Sequence, residues 1–269
     1  MDLLSLIKNP LKRLVLSSNT LRPFYNRYLD FRHNFPFYFK RRNWIYCYLY
    51  FPKPSQEDRY LKKIVQQEKI NLLLDVGAHA GETGWVFRER VGYVGRIVSF
   101  EPLSERFSIL QERAKLDPPW ECQQIALGEK NEIKTFNVFN NLYTSSFLKV
   151  DGALEKECKL QKIREEAIQI RRLEDLFSSL CKETDSILLK IDTQGFEKQV
   201  LEGLGKYLSQ IRLVKLELSC VPLYEGETLM GEMILYMKSK GFVPILIQPG
   251  HVSENSHHLQ ADLLFLNNK

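Results

Sequence analysis

The chain has 269 residues, 44% of them hydrophobic and 26% charged, with a formal net charge of +5. That composition excludes wholesale disorder and collagen-like architecture, and the length suffices for one large domain, or for a domain of about 200 residues with an extension. No apolar run approaches the ~18 residues of a membrane-spanning helix; Ile45–Phe51 is far too short. The Leu-rich start is broken by Lys8, Pro10, Lys12 and Arg13 and lacks a small-residue cleavage site, so it does not read as a secretory signal. Cys47, Cys122, Cys158, Cys181 and Cys220 are scattered, with no Cys-x-x-Cys. Neither a disulfide framework nor a metal site is expected, and a reducing, cytoplasmic setting is.

The charge is divided unevenly. Residues 1–53 hold ten Lys/Arg against Asp2 and Asp30, whereas the rest of the chain is net acidic. The same segment carries 13 of the 31 aromatics, in runs such as Phe35-Pro-Phe-Tyr-Phe39 and Trp44–Phe51. Two charge regimes imply two zones, a basic, aromatic-rich extension (1–53) and a main domain (54–269), divided near Pro52 and Pro54.

Beyond that boundary, short apolar runs alternate with amphipathic stretches. Asn71–Val76 is the first strand, and Glu82–Val91 reads as a helix. Arg96–Phe100 is the second strand, followed by a helix that Ser104 would cap and whose apolar face holds Phe107, Leu110 and Ala114. Trp120–Leu127 is the third strand, residues 140–170 read as a polar, irregular lid, and Ser186–Ile191 is the fourth strand. A helix with Phe196, Val200, Leu201 and Leu204 on one side follows, then a fifth strand, Ile211–Leu218, and a helix around Met230–Lys240. Phe242–Ile247 and Ala261–Leu266 close the chain as an antiparallel hairpin. The pattern predicts a doubly wound α/β, mostly parallel sheet, with ligands at the carboxyl ends of the strands beside the point where strand order reverses.

Asp75-Val-Gly-Ala-His-Ala-Gly81 follows the first strand. Gly77 and Gly81 permit a tight turn and a close ligand approach. His79 occupies the middle glycine position of a dinucleotide fingerprint, and Asp75 adds a carboxylate, which suits a cationic or amine-bearing ligand better than a pyrophosphate. A strand-to-helix turn without a ligand is the plain alternative. Glu101 closes the second strand 26 positions after Asp75, where an acid is placed to take both hydroxyls of a ribose. Together the two sites favour an adenosine ligand without a pyrophosphate, and S-adenosylmethionine fits.

Six segments in order then make the chain resemble the FkbM-type S-adenosylmethionine-dependent methyltransferases over most of residues 70–266. They are Asp75–Gly81, Ser99-Phe-Glu-Pro102, Ile125-Ala-Leu-Gly128, Thr144-Ser-Ser-Phe147, Leu189-Lys-Ile-Asp-Thr-Gln-Gly-Phe-Glu197 with Val200-Leu-Glu-Gly203, and Val214-Lys-Leu-Glu-Leu-Ser219. The resemblance implies a class I methyltransferase fold, Rossmann-like and seven-stranded, with five parallel strands and a closing antiparallel pair. It implies that Asp75, Gly77 and Ala78, with His79 and Gly81 in the same turn, line the methionine end of the cofactor. Glu101 and Pro102 would sit at the ribose, Gln124, Ile125, Ala126 and Leu127 would flank adenine, and Asp192 would border the cofactor. Two residues depart from the pattern: His79 stands where relatives often carry Asn, and Gln194 where many carry Glu.

Methyl transfer to an alcohol needs alignment of the acceptor and loss of a proton, and a general base contributes about 10²–10⁴-fold. Asp192 is the first candidate for that base or for an orienting group, Glu217 in its apolar run the second, and His79 the third. Lys190, Gln194, Ser145, Ser146 and Tyr224 are candidate acceptor contacts, the hydroxyls suiting a sugar, a polyol or a glycan. The structural alternative has Asp192 capping a helix, Glu197 facing its N-terminus and Lys190 in an ion pair. A non-catalytic adenosine-binding regulator stays open as a function. A nucleic-acid methyltransferase ranks lower, because the catalytic zone is acidic and no Asn-Pro-Pro-Tyr-like segment follows the fourth strand. Residues 1–53 would bring the enzyme to an anionic membrane face, which would suit a lipid-linked glycan acceptor, or else pack as a helical cap or homodimer interface.

Overall fold

The computed structural model describes residues 54–117, 119–253 and 255–268. The basic, aromatic extension and Cys47 lie outside the described residues. A seven-stranded sheet of order β3-β2-β1-β7-β8-β10-β9 forms the centre. Its strands are β1 (Leu72–Val76), β2 (Arg96–Phe100), β3 (Trp120–Gln123), β7 (Ile187–Ile191), β8 (Ile211–Ser219), β9 (Phe242–Pro249) and β10 (Gln260–Asn267). The first five in chain order pair in parallel, and β10 runs antiparallel to both β8 and β9. The terminal hairpin is therefore folded so that its second strand, β10, enters the sheet beside β8 and leaves β9 at the edge. β1 and β7 are buried at every position, as strands covered on both faces must be.

One face of the sheet is covered by α1 (Gln56–Gln67), α2 (Glu82–Val86, continued by a π turn, Phe87–Val91) and α3 (Ser104–Ala114). The other is covered by α5 (Leu173–Leu180), α6 (Glu197–Gly203) and α7 (Met230–Ser239). α1 begins at a reciprocal Ser55–Asp58 capping box and inserts Leu61, Ile64 and Val65 against Leu73, Leu213 and Leu264. The expected helix after β2 is present, but Leu103 is its N-cap and Ser104 its first residue; the Ser104 hydroxyl accepts from Gln124 instead.

Residues 120–171 differ most from the sequence expectation. The third strand ends at Gln123, and Ala126–Leu127 (β4) belongs to a separate sheet of order β4-β6-β5. Its other members are β5 (Glu132–Phe139) and β6 (Lys162–Arg171). The stretch expected to be irregular thus holds a 3₁₀ turn (Leu142–Thr144), a short helix α4 (Gly152–Glu157) and a ten-residue strand. Its small core, Phe136, Val138, Phe147, Ile168 and Ile170, packs on Leu103, Ala126 and Phe196, so the second sheet stands over the carboxyl ends of the first.

Candidate active site

The topological reversal lies between β1 and β7, and the turn after β1 shows why glycine is needed there. Gly77 has φ +71°, and a Cβ would lie 1.8 Å from the Asp192 carbonyl oxygen. His79 follows, also left-handed at φ +50°. Its amide donates to Glu101 Oε2 at 2.8 Å, while Leu103 N donates to Glu101 Oε1 at 2.8 Å. Glu101 thereby ties the β1 turn to the start of α3. Burial pushes its carboxyl up to about 7, against the lowering effect of the two amides. The His79 ring is 3.3 Å from Glu82 and stacks on Tyr143 at a centroid separation of 4.0 Å.

Beneath this turn lies a buried charge network. Trp120 Nε1 donates to Ser99 Oγ at 3.0 Å, and Ser99 Oγ donates to Asp75 Oδ2 at 3.2 Å. Lys190 Nζ sits 3.3 Å from Asp75 Oδ1 and 3.5 Å from Asp192 Oδ2, and donates to the Gly77 carbonyl at 3.0 Å. Burial works against the Lys190 ammonium, but Asp192 and Asp75 outweigh it and hold its pKa above the ordinary lysine value. The register explains the assembly: Ser99, Asp75 and Lys190 are consecutive partners across β2, β1 and β7, and Asp192 lies two positions beyond Lys190 on the same side.

A second polar group spans the ends of β7 and β8. Gln194, at φ +54°, donates through Nε2 to Asp192 Oδ1 at 2.8 Å and to Glu217 Oε2 at 2.7 Å. Tyr224 OH donates to Gln194 Oε1 at 2.7 Å, which fixes the amide orientation. Gln260 Nε2 donates to Glu217 Oε2 at 3.0 Å. The charge of Asp192, with burial, pushes Glu217 up to about 8. Glu197 takes no part; its Oε1 accepts from Thr193 N, Thr193 Oγ1 and Gly195 N, closing its own turn. Phe196, not Asp192, is the N-cap of α6, so the capping role considered for Asp192 is overturned.

These groups open onto one cleft with a cavity volume of about 290 Å³. Of the residues singled out from sequence, Gly77, His79, Glu101, Pro102, Ile125, Ala126, Leu127, Asp192, Gln194, Glu217, Ser145 and Tyr224 line it. Asp75, Ala78, Gly81, Lys190 and Ser146 do not: all five are buried behind it. Gln124 is exposed beside α3. Lys190 is thus in the ion-pair position and not in an acceptor-facing one, because the β7 pleat points it under the Gly77 turn. Ser146 is likewise structural, its hydroxyl donating to the Gln194 carbonyl at 2.7 Å, and Ser145 Oγ accepts from Phe139 N at 3.2 Å. Sequence reasoning missed Phe136, Tyr143, His251 and Gln260 on the cleft wall. Alternation of Phe136 and Val138 in β5 was the available signal for the first; nothing local marks the others.

Residues 75–244 match the methyltransferase FkbM domain. The chain belongs to the FkbM methyltransferase family. No curated protein matches the chain. Solved structures similar to it include methyltransferase FkbM from Methylobacillus flagellatus KT, at 18% identity and TM-score 0.45, covering 73% of this chain and 43% of that one. An rRNA methylase from Streptococcus thermophilus is 8% identical at TM-score 0.45, covering 82% and 99% of the two chains. Precorrin-6y C5,15-methyltransferase from Geobacter metallireducens GS-15 is 10% identical at TM-score 0.40, covering 80% and 88%. The family match, not these likenesses, makes the assignment.

Membership makes S-adenosylmethionine the cofactor implied for the cleft, and the residues present fit it. Glu101, directly after β2, lines the cleft, and Phe100, Leu103, Ile125 and Leu127 add apolar lining. None of the described lining residues is Lys or Arg, and the Lys190 ammonium behind the wall is paired with Asp75 and Asp192. Among the described residues, no group of three or more His, Cys, Asp or Glu is arranged to hold a metal ion, and no helix is long and apolar enough to cross a membrane.

Proposed function

We propose that the protein is an S-adenosylmethionine-dependent O-methyltransferase whose acceptor is a hydroxyl of a sugar, a glycan or another small polyhydroxylated molecule. The observation that carries this reading is one cleft that joins a ribose-type carboxylate, Glu101, to the Asp192–Gln194–Glu217–Tyr224 group. S-adenosylmethionine, when bound, supplies a methyl group on a cationic sulfur. Glu101 accepts from ribose hydroxyls, and the apolar lining takes the adenine.

Asp192 is the group for the acceptor proton. Gln194 holds one of its oxygens, Lys190 approaches the other from behind at 3.5 Å, and a third of the side chain remains open. Tyr224 fixes Gln194 and so fixes the distance between the two acids. His79 serves the turn through its amide and carries Tyr143 on its ring, which favours a wall role over a proton-transfer role. A cleft whose described lining has no Lys or Arg weighs against a phosphate-bearing or nucleic-acid acceptor.

Residues 1–53 complete the reading as an accessory zone that brings residues 54–269 to an anionic membrane face from the cytoplasm, where a lipid-linked glycan would be within reach. The deciding experiment follows radiolabelled methyl transfer to glycan and metabolite extracts from cells lacking the protein. Incorporation that requires Asp192 supports the reading. A folded, cofactor-binding protein that labels nothing would instead be an adenosine-responsive regulator.

A further inference from the structure

The carboxylates around the reaction end of the cleft outnumber the cations. Asp75, Asp192 and Glu217 surround a single ammonium, Lys190, which already divides itself between Asp75 at 3.3 Å and Asp192 at 3.5 Å. Asp262, opposite Glu217 on β10, is taken by Lys215 at 2.7 Å. What reaches Glu217 is neutral: the Gln194 and Gln260 amides both donate to Oε2, and Glu217 is among the residues that line the cleft. A bound sulfonium would balance one negative charge. One acid still remains without a counter-charge, and Glu217, pushed up to about 8 by Asp192 and burial, holds a proton near neutral pH that an arriving cation would displace.

The rest of the wall is consistent with this. Across its described residues the cleft has no Lys or Arg with which to bind a phosphate, sulfate or carboxylate on the acceptor. Leu142, Leu154 and Leu223 add apolar surface to the same cleft, which strengthens charge pairing within it. Neutral hydroxyls satisfy the hydrogen bonds of such a site but not its charge.

We propose that the acceptor carries a protonated amine, held between Asp192 and Glu217, beside the hydroxyl that receives the methyl group. The substrate class is an amino sugar or another vicinal amino alcohol. This rests on the methyltransferase reading above and deepens it. The ammonium takes Glu217 Oε1 and the open face of Asp192, while Gln194, locked by Tyr224, keeps the two carboxylates from approaching each other. The neighbouring hydroxyl then lies within reach of Asp192.

The test uses the full chain saturated with S-adenosylhomocysteine and matched probes. These are the methyl glycosides of a 2-amino sugar, its N-acetyl derivative, the neutral parent sugar and the uronic acid, together with 2-amino-1,3-propanediol against glycerol. Binding is read by saturation-transfer NMR and calorimetry. The amines should bind at least about tenfold tighter than their neutral partners, the advantage of a charge-assisted over a neutral hydrogen bond. Glu217→Gln should abolish the preference and leave S-adenosylhomocysteine affinity intact. Equal binding of amine and neutral probes, preference for the uronic acid, a preference that survives Glu217→Gln, or no saturable binding of either amine overturns the proposal. Failure of the wild-type chain to bind S-adenosylhomocysteine overturns the underlying reading, and this one with it.

Discussion

Replacing Glu101 by Gln tests the cofactor site and its energetics together. The side chain keeps its shape and is 5% exposed, so the effect is electrostatic and not steric. The carboxylate accepts two backbone amides at 2.8 Å; an amide can accept only one and turns its NH₂ toward the other. That leaves one buried donor unsatisfied, at a cost of about 1–3 kcal/mol. A second effect has the opposite sign. Burial raises the Glu101 pKa from 4.5 to about 7, so between those values the folded chain binds more protons than the unfolded one, and stability falls as pH rises. The cost is fully developed above pH 7 and amounts to about 3 kcal/mol for a shift of this size. Glutamine does not titrate. The variant should therefore be less stable than wild type at pH 4.5, and the gap should close by about 3 kcal/mol by pH 8. At pH 8, cofactor affinity should fall about 10- to 100-fold, the worth of one charge-assisted hydrogen bond. Denaturant unfolding across that pH range and calorimetric titration with S-adenosylhomocysteine measure both. Parallel stability curves, with affinity within about threefold of wild type, would refute the reasoning.

Asp192→Asn should lower turnover about 10²–10⁴-fold with cofactor affinity nearly unchanged; turnover within about tenfold would make Asp192 an orienting group and not a base. Lys190→Met strands Asp75, which is fully buried, and should cost about 3–5 kcal/mol in denaturant unfolding; a neutral result would mean that Asp75 is protonated in the fold. Gly77→Ala drives a Cβ into the Asp192 carbonyl at positive φ, so cofactor titration should show binding lost or greatly weakened, and wild-type affinity would contradict the turn geometry. For residues 1–53, the full chain should co-sediment with anionic but not neutral liposomes, with binding lost in high salt and on deletion of the segment. Equal partitioning with and without the segment would favour a helical cap or a dimer interface.

How much was legible follows from what each element buries. β1, β2 and β7 are covered on both faces, so each reads as a mostly apolar run, with Asp75 near the end of β1 and Glu101 and Asp192 just past the ends of β2 and β7. Asp75, Glu101 and Asp192 could be placed on that basis alone. β6 could not, because Lys162–Arg171 buries only Ile168 and Ile170 and carries charges elsewhere, so it has the composition of a loop. α1 is similar: twelve residues, of which Leu61, Ile64 and Val65 form the apolar contact. The split between β3 and β4 reflects a change of sheet at Gln124-Ile125, a tertiary event with no local mark. Lys190, on β7, and Asp192, one residue past its end, were legible as neighbours. The Gln194 bridge was not, since it needs a left-handed glutamine, a tyrosine thirty positions on and an acid from another strand.

The three raised glutamates show how the same burial serves different ends. Glu197 is pushed up to about 7, yet its oxygen accepts three donors from its own turn, so its purpose is exhausted within the fold. Glu101, also near 7, gives each oxygen one backbone amide and keeps lone pairs toward the cleft. Glu217, near 8, has two neutral amides on one oxygen and a like charge as its nearest electrostatic neighbour. Donors from the protein thus number three at Glu197 and two each at Glu101 and Glu217, and at Glu217 both fall on one oxygen. A fold that holds carboxylates in this state loses stability at neutral pH, and the loss is recovered only when donors or cations arrive. Ligands that bring both should raise the unfolding temperature most where Glu217 is intact.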